Sequence, residues 1–541
     1  MKNLSFVIVL LLLSQSIFAQ RGIAKKFDIT WGPEYKQPKK FTPEGFLYNP
    51  NEGYVLVSNK KMKSLTFQRF DLERLRIEDE KEIEIKDLGN KIVLDRMQVF
   101  NNKHYLFFTD WDRGRGKEIL FVQEVDIKTN GFVGSKKVLI ECDKVTGDLI
   151  NTGMYSFTTA NKFKFYFSAD SSKMLVTYRK YPESKNDAVN KDVIGFNVFD
   201  KNLKKVWGTE IKMPYTEKIM DNEDYQVDSE GNAYLLAKVY DGNRKEEVDG
   251  EPNYQFELMK LSEGSSSFKQ YPIKMDGIFV YNLSLMEYSP GKLLCAGYYY
   301  KSVGGSFKRS SGASGVMIAK MDENLNLTIS VSEFPVDILK DFESAREQRK
   351  VDRKDKKGDS GSSTLTIRDI IWSSDGSLVI NGEDYYFKTH VTGTGTSRRV
   401  TYTYYYEDII AMKIDANNKM AWVNKIPKRQ RGNVQWQSMS FECFPINDDY
   451  YYFYIDNAKN LRLQPDKTPA THMDGAGGYL TLVKIDGETG ELEKDHFFDL
   501  KKHKINLYPS RIDQISNNTL IARPYIVGKG DQKIFKMELM N

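Results

Sequence analysis

The chain has 541 residues, with 79 Lys and Arg against 74 Asp and Glu and a formal charge of +5. That balance excludes a uniformly basic or acidic surface as the basis of function and leaves only local asymmetry. Three cysteines (Cys142, Cys295 and Cys443) exclude a disulfide-stapled scaffold; one bridge stays open, but neighbours such as Leu294 and Ala296 predict packed, free thiols.

The first element is Lys2, then the apolar run Phe6 to Leu13, then Ser16-Ile17-Phe18-Ala19 ahead of Gln20. This order predicts a signal peptide at 1–19 and an exported mature chain, in the periplasm or at the cell surface, with outer-membrane association open. The apolar run is shorter than the roughly 20 residues a membrane span needs, and no second run of that kind follows. An exported chain is not expected to meet nucleic acid.

Beyond the leader, strands of alternating apolar residues run eight times into a short turn. The turns follow Asp71, Asp126, Asp200, Ser262, Asp322, Asp415, Asp486 and Glu538. A spacing of roughly 50 to 90 residues marks a repeat architecture. The clearest repeat predicts strand a at 365–373, b at 377–386, c at 408–415 and d at 419–425, with turns at Asp375-Gly376 and Asn417-Asn418. Four-stranded repeats without helical periodicity predict an all-β fold, an eight-bladed β-propeller of antiparallel blades, or a seven-bladed one if the first repeat is irregular.

The last repeat stops after its strand c at 533–540. Phe27-Asp28-Ile29-Thr30-Trp31-Gly32 matches the strand-d segments around Trp207 and Trp422. The N-terminal strand is therefore expected to complete the final blade and close the ring, removing an exposed edge. The result is one domain over 20–541, interrupted by a charged insertion at 336–364. Within that insertion a short helix is expected from Arg346, docked through Ile338, Phe342 and Ala345.

The segments Asp415-Ala416-Asn417-Asn418-Lys419-Met420-Ala421-Trp422 and Asp486-Gly487-Glu488-Thr489-Gly490-Glu491-Leu492 resemble the repeats of PQQ-like secreted bacterial propellers. The resemblance implies the fold; the paired vicinal cysteines of the quinone enzymes are missing, so it implies no PQQ and no other cofactor. The turn aspartates are read as caps, their side chains accepting backbone N–H groups.

In an up-and-down blade the a–b and c–d turns share one face, and the b–c and d–a connections share the other. The long segments 181–190, 241–252, 301–315, 387–406 and 456–478 all belong to the second kind, which makes that face the expected binding surface. It also gathers Lys308, Arg309, Arg398, Arg399, Lys428, Arg429 and Arg431, beside Tyr404 and Tyr405 in a Tyr-rich ribbon. Such a patch suits an envelope protein or an anionic glycan.

Catalytic signatures are sparse. No G-x-S-x-G elbow, H-E-x-x-H or Cys/His zinc spacing occurs. His472 with Asp474 is the best isolated metal pair, set against a plain Gly-rich loop. The pairs Glu383-Asp384 and Glu407-Asp408 could serve a glycoside hydrolase or lyase if a cleft held acid and base about 5–9 Å apart. The expected role is a non-catalytic interaction or assembly module of the cell envelope; the alternative is a carbohydrate-active enzyme or a glycan-binding protein.

Overall fold

The computed structural model describes residues 22–37, 41–50, 52–60, 63–89, 92–153, 156–274, 278–280, 282–301, 312–355, 364–392, 399–434, 438–474 and 477–540. The expected signal peptide lies outside these residues, as do Lys308, Arg309 and Arg398.

Among the described residues, seven successive stretches (41–84, 93–142, 163–212, 220–273, 284–333, 365–426 and 441–499) each contain a four-stranded antiparallel meander. They are called sheets 1 to 7 here. Sheet 8 is made from both ends of the chain. Its strands Ile512–Ser516, Thr519–Ala522 and Phe535–Leu539 are joined by Phe27–Trp31. That strand runs antiparallel to Phe535–Leu539, with Phe27 opposite Leu539 and Trp31 opposite Phe535. The strand-d place anticipated for the N-terminal segment is thus the one it takes.

Apolar clusters join each sheet to the next, and the cause is the two-residue period of a strand. Successive residues of a second strand point to opposite neighbours. Leu235 packs toward sheet 3 and Leu236 toward sheet 5. Val379 packs toward sheet 7 and Ile380 toward sheet 5, while Leu520 packs toward sheet 7 and Ile521 toward sheet 1. Strands buried on both faces need continuous apolar runs such as Leu293-Leu294-Cys295-Ala296, all fully buried. Each such large side chain contributes about 1.5–3 kcal/mol by leaving water. Tyr54, Leu56 and Phe70 of sheet 1 share a cluster with Ile521 and Ile534 of the C-terminal segment.

The recurring aspartates do cap their turns. Asp71 Oδ1 accepts the N–H groups of Glu73 and Arg74 at 2.7 Å. Asp200 and Asp322 each accept the N–H two and four residues on, and Asp486 accepts Glu488 and Thr489. Trp207 and Trp422 hold equivalent places, each donating its indole N–H to a turn carbonyl of the following sheet, Gly231 and Gly487. A different tie starts from the first strand of sheet 5. Buried Glu287 of sheet 5 accepts N–H groups from Ala169 of sheet 3, Ser229 of sheet 4 and its own turn at Gly291. One carboxylate thus pins three turns together.

The insertion forms α1 (Val336–Lys340) and α2 (Ala345–Asp355). Leu339 and Phe342 are buried and Ile338 packs on the sheet 5–6 cluster, so the insertion docks as expected. Ala345 is exposed and takes no part; Glu343 takes its place, pairing with Lys425 at 3.0 Å. The cysteines Cys142, Cys295 and Cys443 are free thiols. Among the described residues no helix is long and apolar enough to cross a membrane.

Candidate functional site

Of the connection expected as a loop at 387–406, residues 387–392 and 399–406 are strand. Leu378–Thr392 and Arg399–Ile414 form one long antiparallel ribbon with Tyr385 opposite Tyr406, Phe387 opposite Tyr404 and Thr392 opposite Arg399. The outer half is rich in Tyr, Thr and Val, which fit an extended pleated surface better than a coil. The inner half, Leu378 to Glu383, is buried, and Phe387 to Thr392 is exposed.

The ribbon has two unlike faces. One carries Phe387 (54% exposed), Val391 (50%), Val400 (41%) and Tyr402 (44%). Phe387 lies 6.0 Å from Tyr402 and 6.1 Å from Tyr404 between ring centres, so these groups form a contiguous aromatic stripe. The other face carries Tyr386 stacked on Tyr405 at 4.6 Å, with the Lys388 ammonium 5.1 Å from the Tyr405 ring, and then His390 and Arg399.

Two short strands extend this second face. Gln430–Gly432 pairs with Tyr404 to Tyr406 and, in parallel, with His472–Met473. The arrangement borders a pocket of about 500 Å³ lined by His390, Thr403, Tyr405, Arg431, Gly432, Asn433, Val434, Met473 and Asp474. Arg431 Nε donates to Met473 Sδ at 2.8 Å. Arg429 meets Glu407 at 3.4 Å, and the Tyr386 hydroxyl donates to the same carboxylate. Burial and Glu407 push the Tyr386 phenol up to about 12. The pocket offers one aromatic plate, an imidazole, guanidinium and amide donors and a carboxylate, a mixture suited to polar or anionic ligands.

Of the residues expected to make contacts, Tyr404 and Tyr405 lie on the ribbon beside the segment that carries Arg429 and Arg431, and Arg399 lies farther out on the same ribbon. Lys428 does not join them, and it leaves the contact set. Its side chain is fully buried, its Nζ 2.6 Å from Glu383 Oε1 and 3.2 Å from Gln430 Oε1. Glu383 also accepts from Arg368 at 2.8 Å and from Ser440 at 2.9 Å. Phe387, His390 and Met473 were not anticipated. The alternation of apolar residues from Tyr385 through Val391 was the available signal for Phe387.

The carboxylate pairs suggested for glycosidase chemistry are tied down. Glu383 is inaccessible under Lys428 and Arg368, and Asp408 pairs with Lys425 at 3.1 Å. Less committed carboxyl groups lie on the first strands of sheets 2, 4 and 7. Burial raises Asp95 to about 6, and burial with neighbouring carboxylates raises Glu223 and Glu442 to about 7. Asp224 instead accepts the Leu285 N–H of the next sheet. His472 is buried and Asp474 is held by Ser438; among the described residues no group of three or more His, Cys, Asp or Glu is arranged to hold a metal ion.

No family model matches the chain, and no curated protein matches it in sequence. Among solved structures it is similar to the WD40 domain of SCAP from fission yeast, at 9% identity over 95% of each chain with a TM-score of 0.38. It is also similar to the β-propeller domain of the Trilobed protease from Pyrococcus furiosus, at 11% identity over 87% of this chain and 96% of that one, TM-score 0.33. An acylaminoacyl peptidase in complex with Z-Gly-Gly-Phe-chloromethyl ketone shares 12% identity over 92% of this chain, TM-score 0.35; the chain spans 57% of that protein's length. The architecture described above rests on strand pairing and packing rather than on these likenesses.

Proposed function

We propose that the chain is an exported, single-domain, eight-bladed β-propeller that acts without catalysis as an interaction or assembly module of the bacterial cell envelope. In this reading residues 1–19 are removed on export, and sheets 1 to 8 are the blades. The N-terminal strand closes the ring, and the eight four-stranded meanders favour eight blades over seven. The PQQ-like resemblance is then one of turn chemistry alone.

The observation that carries the contact role is the ribbon of sheet 6. Its Phe387, Val391, Val400 and Tyr402 stand in solvent on one face, while Arg399 is exposed on the other face and Arg429 and Arg431 on the segment paired beside it. An exposed apolar patch rimmed by charge suits a partner surface, and the cations set the partner's sign. An acidic envelope protein fits the aromatic stripe best; an anionic glycan is the second candidate. The test is affinity purification from the native envelope with mass spectrometry, comparing wild type with Phe387→Ser/Tyr402→Ser. Wild type is expected to recover a stoichiometric protein that the variant loses. Recovery of no such protein sinks the assembly role, and equal recovery by the variant moves the contact off the ribbon.

The carbohydrate-active alternative draws support from Glu223 and Glu442, since an acid near 7 can donate a proton at neutral pH. Release of sugar ends from envelope polysaccharide, lost in Glu442→Gln, would favour it.

A further inference from the structure

Where sheet 8 meets sheet 1, two guanidinium groups lie inside the protein with one carboxylate between them. Arg523, 6% exposed, pairs with Asp513 Oδ2 at 2.6 Å. Arg511, 7% exposed, has no ion-pair partner among the described residues. Its Nη1 donates to the Arg523 carbonyl at 3.1 Å, and its plane lies 4.1 Å from the Tyr525 ring centre. Neither contact supplies a negative charge. A buried cation without one is strongly disfavoured unless something else answers it, and burial accordingly lowers the Arg511 pKa.

The polar groups around this cation include two free donors and one free acceptor. Gln532 is 1% exposed, and its Oε1 accepts from the Tyr35 hydroxyl at 2.9 Å and from Gln37 Nε2 at 3.0 Å. With these bonds Nε2 is the free end of the amide. Gln532 Nε2 and Arg523 Nε are both buried without a hydrogen-bond partner, while Gln37 Oε1 is an unpartnered acceptor. Arg511, Arg523, Gln532, Gln37 and Ser58 line one cavity. Its volume, about 10 Å³ as room for the centre of a water-sized sphere, admits one atom-sized occupant and no carboxylate or phosphate group.

We propose that this cavity binds a single small anion of the halide class, held by Arg511 and by the free donors of Arg523 and Gln532. The anion would join segments from the two ends of the chain, since Arg511, Arg523 and Gln532 lie within 511–532 and Gln37 and Ser58 within 37–58. This site stands apart from the ribbon and does not depend on its role.

The experiment is a thermal-unfolding titration of the wild-type protein with chloride replacing gluconate at constant ionic strength, paired with anomalous diffraction from bromide-soaked crystals. Raising chloride from about 1 to about 100 mM is expected to raise Tm by roughly 1–3 °C, and a bromide peak is expected against Arg511. A Tm indifferent to chloride, or water density without a bromide peak, overturns the proposal. Gln532→Glu supplies a carboxylate of the same shape at the cation. It should raise Tm in chloride-free buffer and abolish the chloride response; a variant that keeps the wild-type chloride response also overturns the site.

Discussion

In the inner part of sheet 6 the cations Lys428, Lys425 and Arg368 are folded into the protein and answered by Glu383, Asp408 and Glu343. In the outer part Arg399, Arg429 and Arg431 face solvent beside exposed aromatic rings. The two regions draw on one stretch of sequence, Lys428-Arg429-Gln430-Arg431, in which alternate residues are buried and exposed. Residue type does not distinguish Lys428 from Arg429. Strand geometry does, because successive side chains leave opposite faces. A basic run on a strand is therefore half a patch, and its other half is a structural network.

The largest effect should come from opening that network. Lys428→Met leaves Glu383 with Arg368 and Ser440 in a site without water, and removing one member of a buried pair costs about 3–5 kcal/mol. Replacing both members, Lys428→Met with Glu383→Leu, should cost more than the single change, because it also takes from Arg368 the carboxylate it pairs with. Denaturant unfolding of the three proteins measures this. A single variant as stable as wild type would mean that the pair is solvated in solution.

The same alternation explains what was legible in the sequence. The turn aspartates, the strand-d place of Phe27 to Trp31 and the docking of Phe342 follow from local chemistry: a carboxylate that caps a turn, a Trp at a repeated offset, an apolar stripe. Glu287 was not legible, because its partners Ala169 and Ser229 are far away in sequence and only the convergence of sheets 3, 4 and 5 brings them together. The burial of Lys428 was hidden for a related reason: Glu383 reaches it from 45 residues away. The ribbon was visible as a run of tyrosines, but its length was masked by reading Thr-rich sequence as loop.

An intermediate effect separates buried charges that have partners from those that lack them. Glu442 faces Asp369 and Asp513 rather than a cation, and burial first, then those carboxylates, raises its pKa from an ordinary 4.5 to about 7. The folded protein therefore holds this proton more tightly than the unfolded chain does. The associated stability is fully present below about pH 4.5 and is lost as pH rises through 7, for a total on the order of 3 kcal/mol. Glu442→Gln should remove that fall and be the more stable protein at pH 8. Parallel pH–stability curves for variant and wild type would show that Glu442 ionises freely.

The smallest effect on stability should come from the exposed half of the run. Arg429→Ser with Arg431→Ser removes one solvent-facing pair with Glu407 and one contact to Met473, and exposed pairs of this kind are worth about 0–1 kcal/mol. Unfolding should shift little, in contrast with Lys428→Met one residue away. Partner recovery should nevertheless fall, and fall more steeply as salt is raised, since screened surface charge acts over only about 8–10 Å at ordinary ionic strength. A large loss of stability with unchanged recovery would invert the assignment, making the outward arginines structural and leaving the aromatic stripe to act alone.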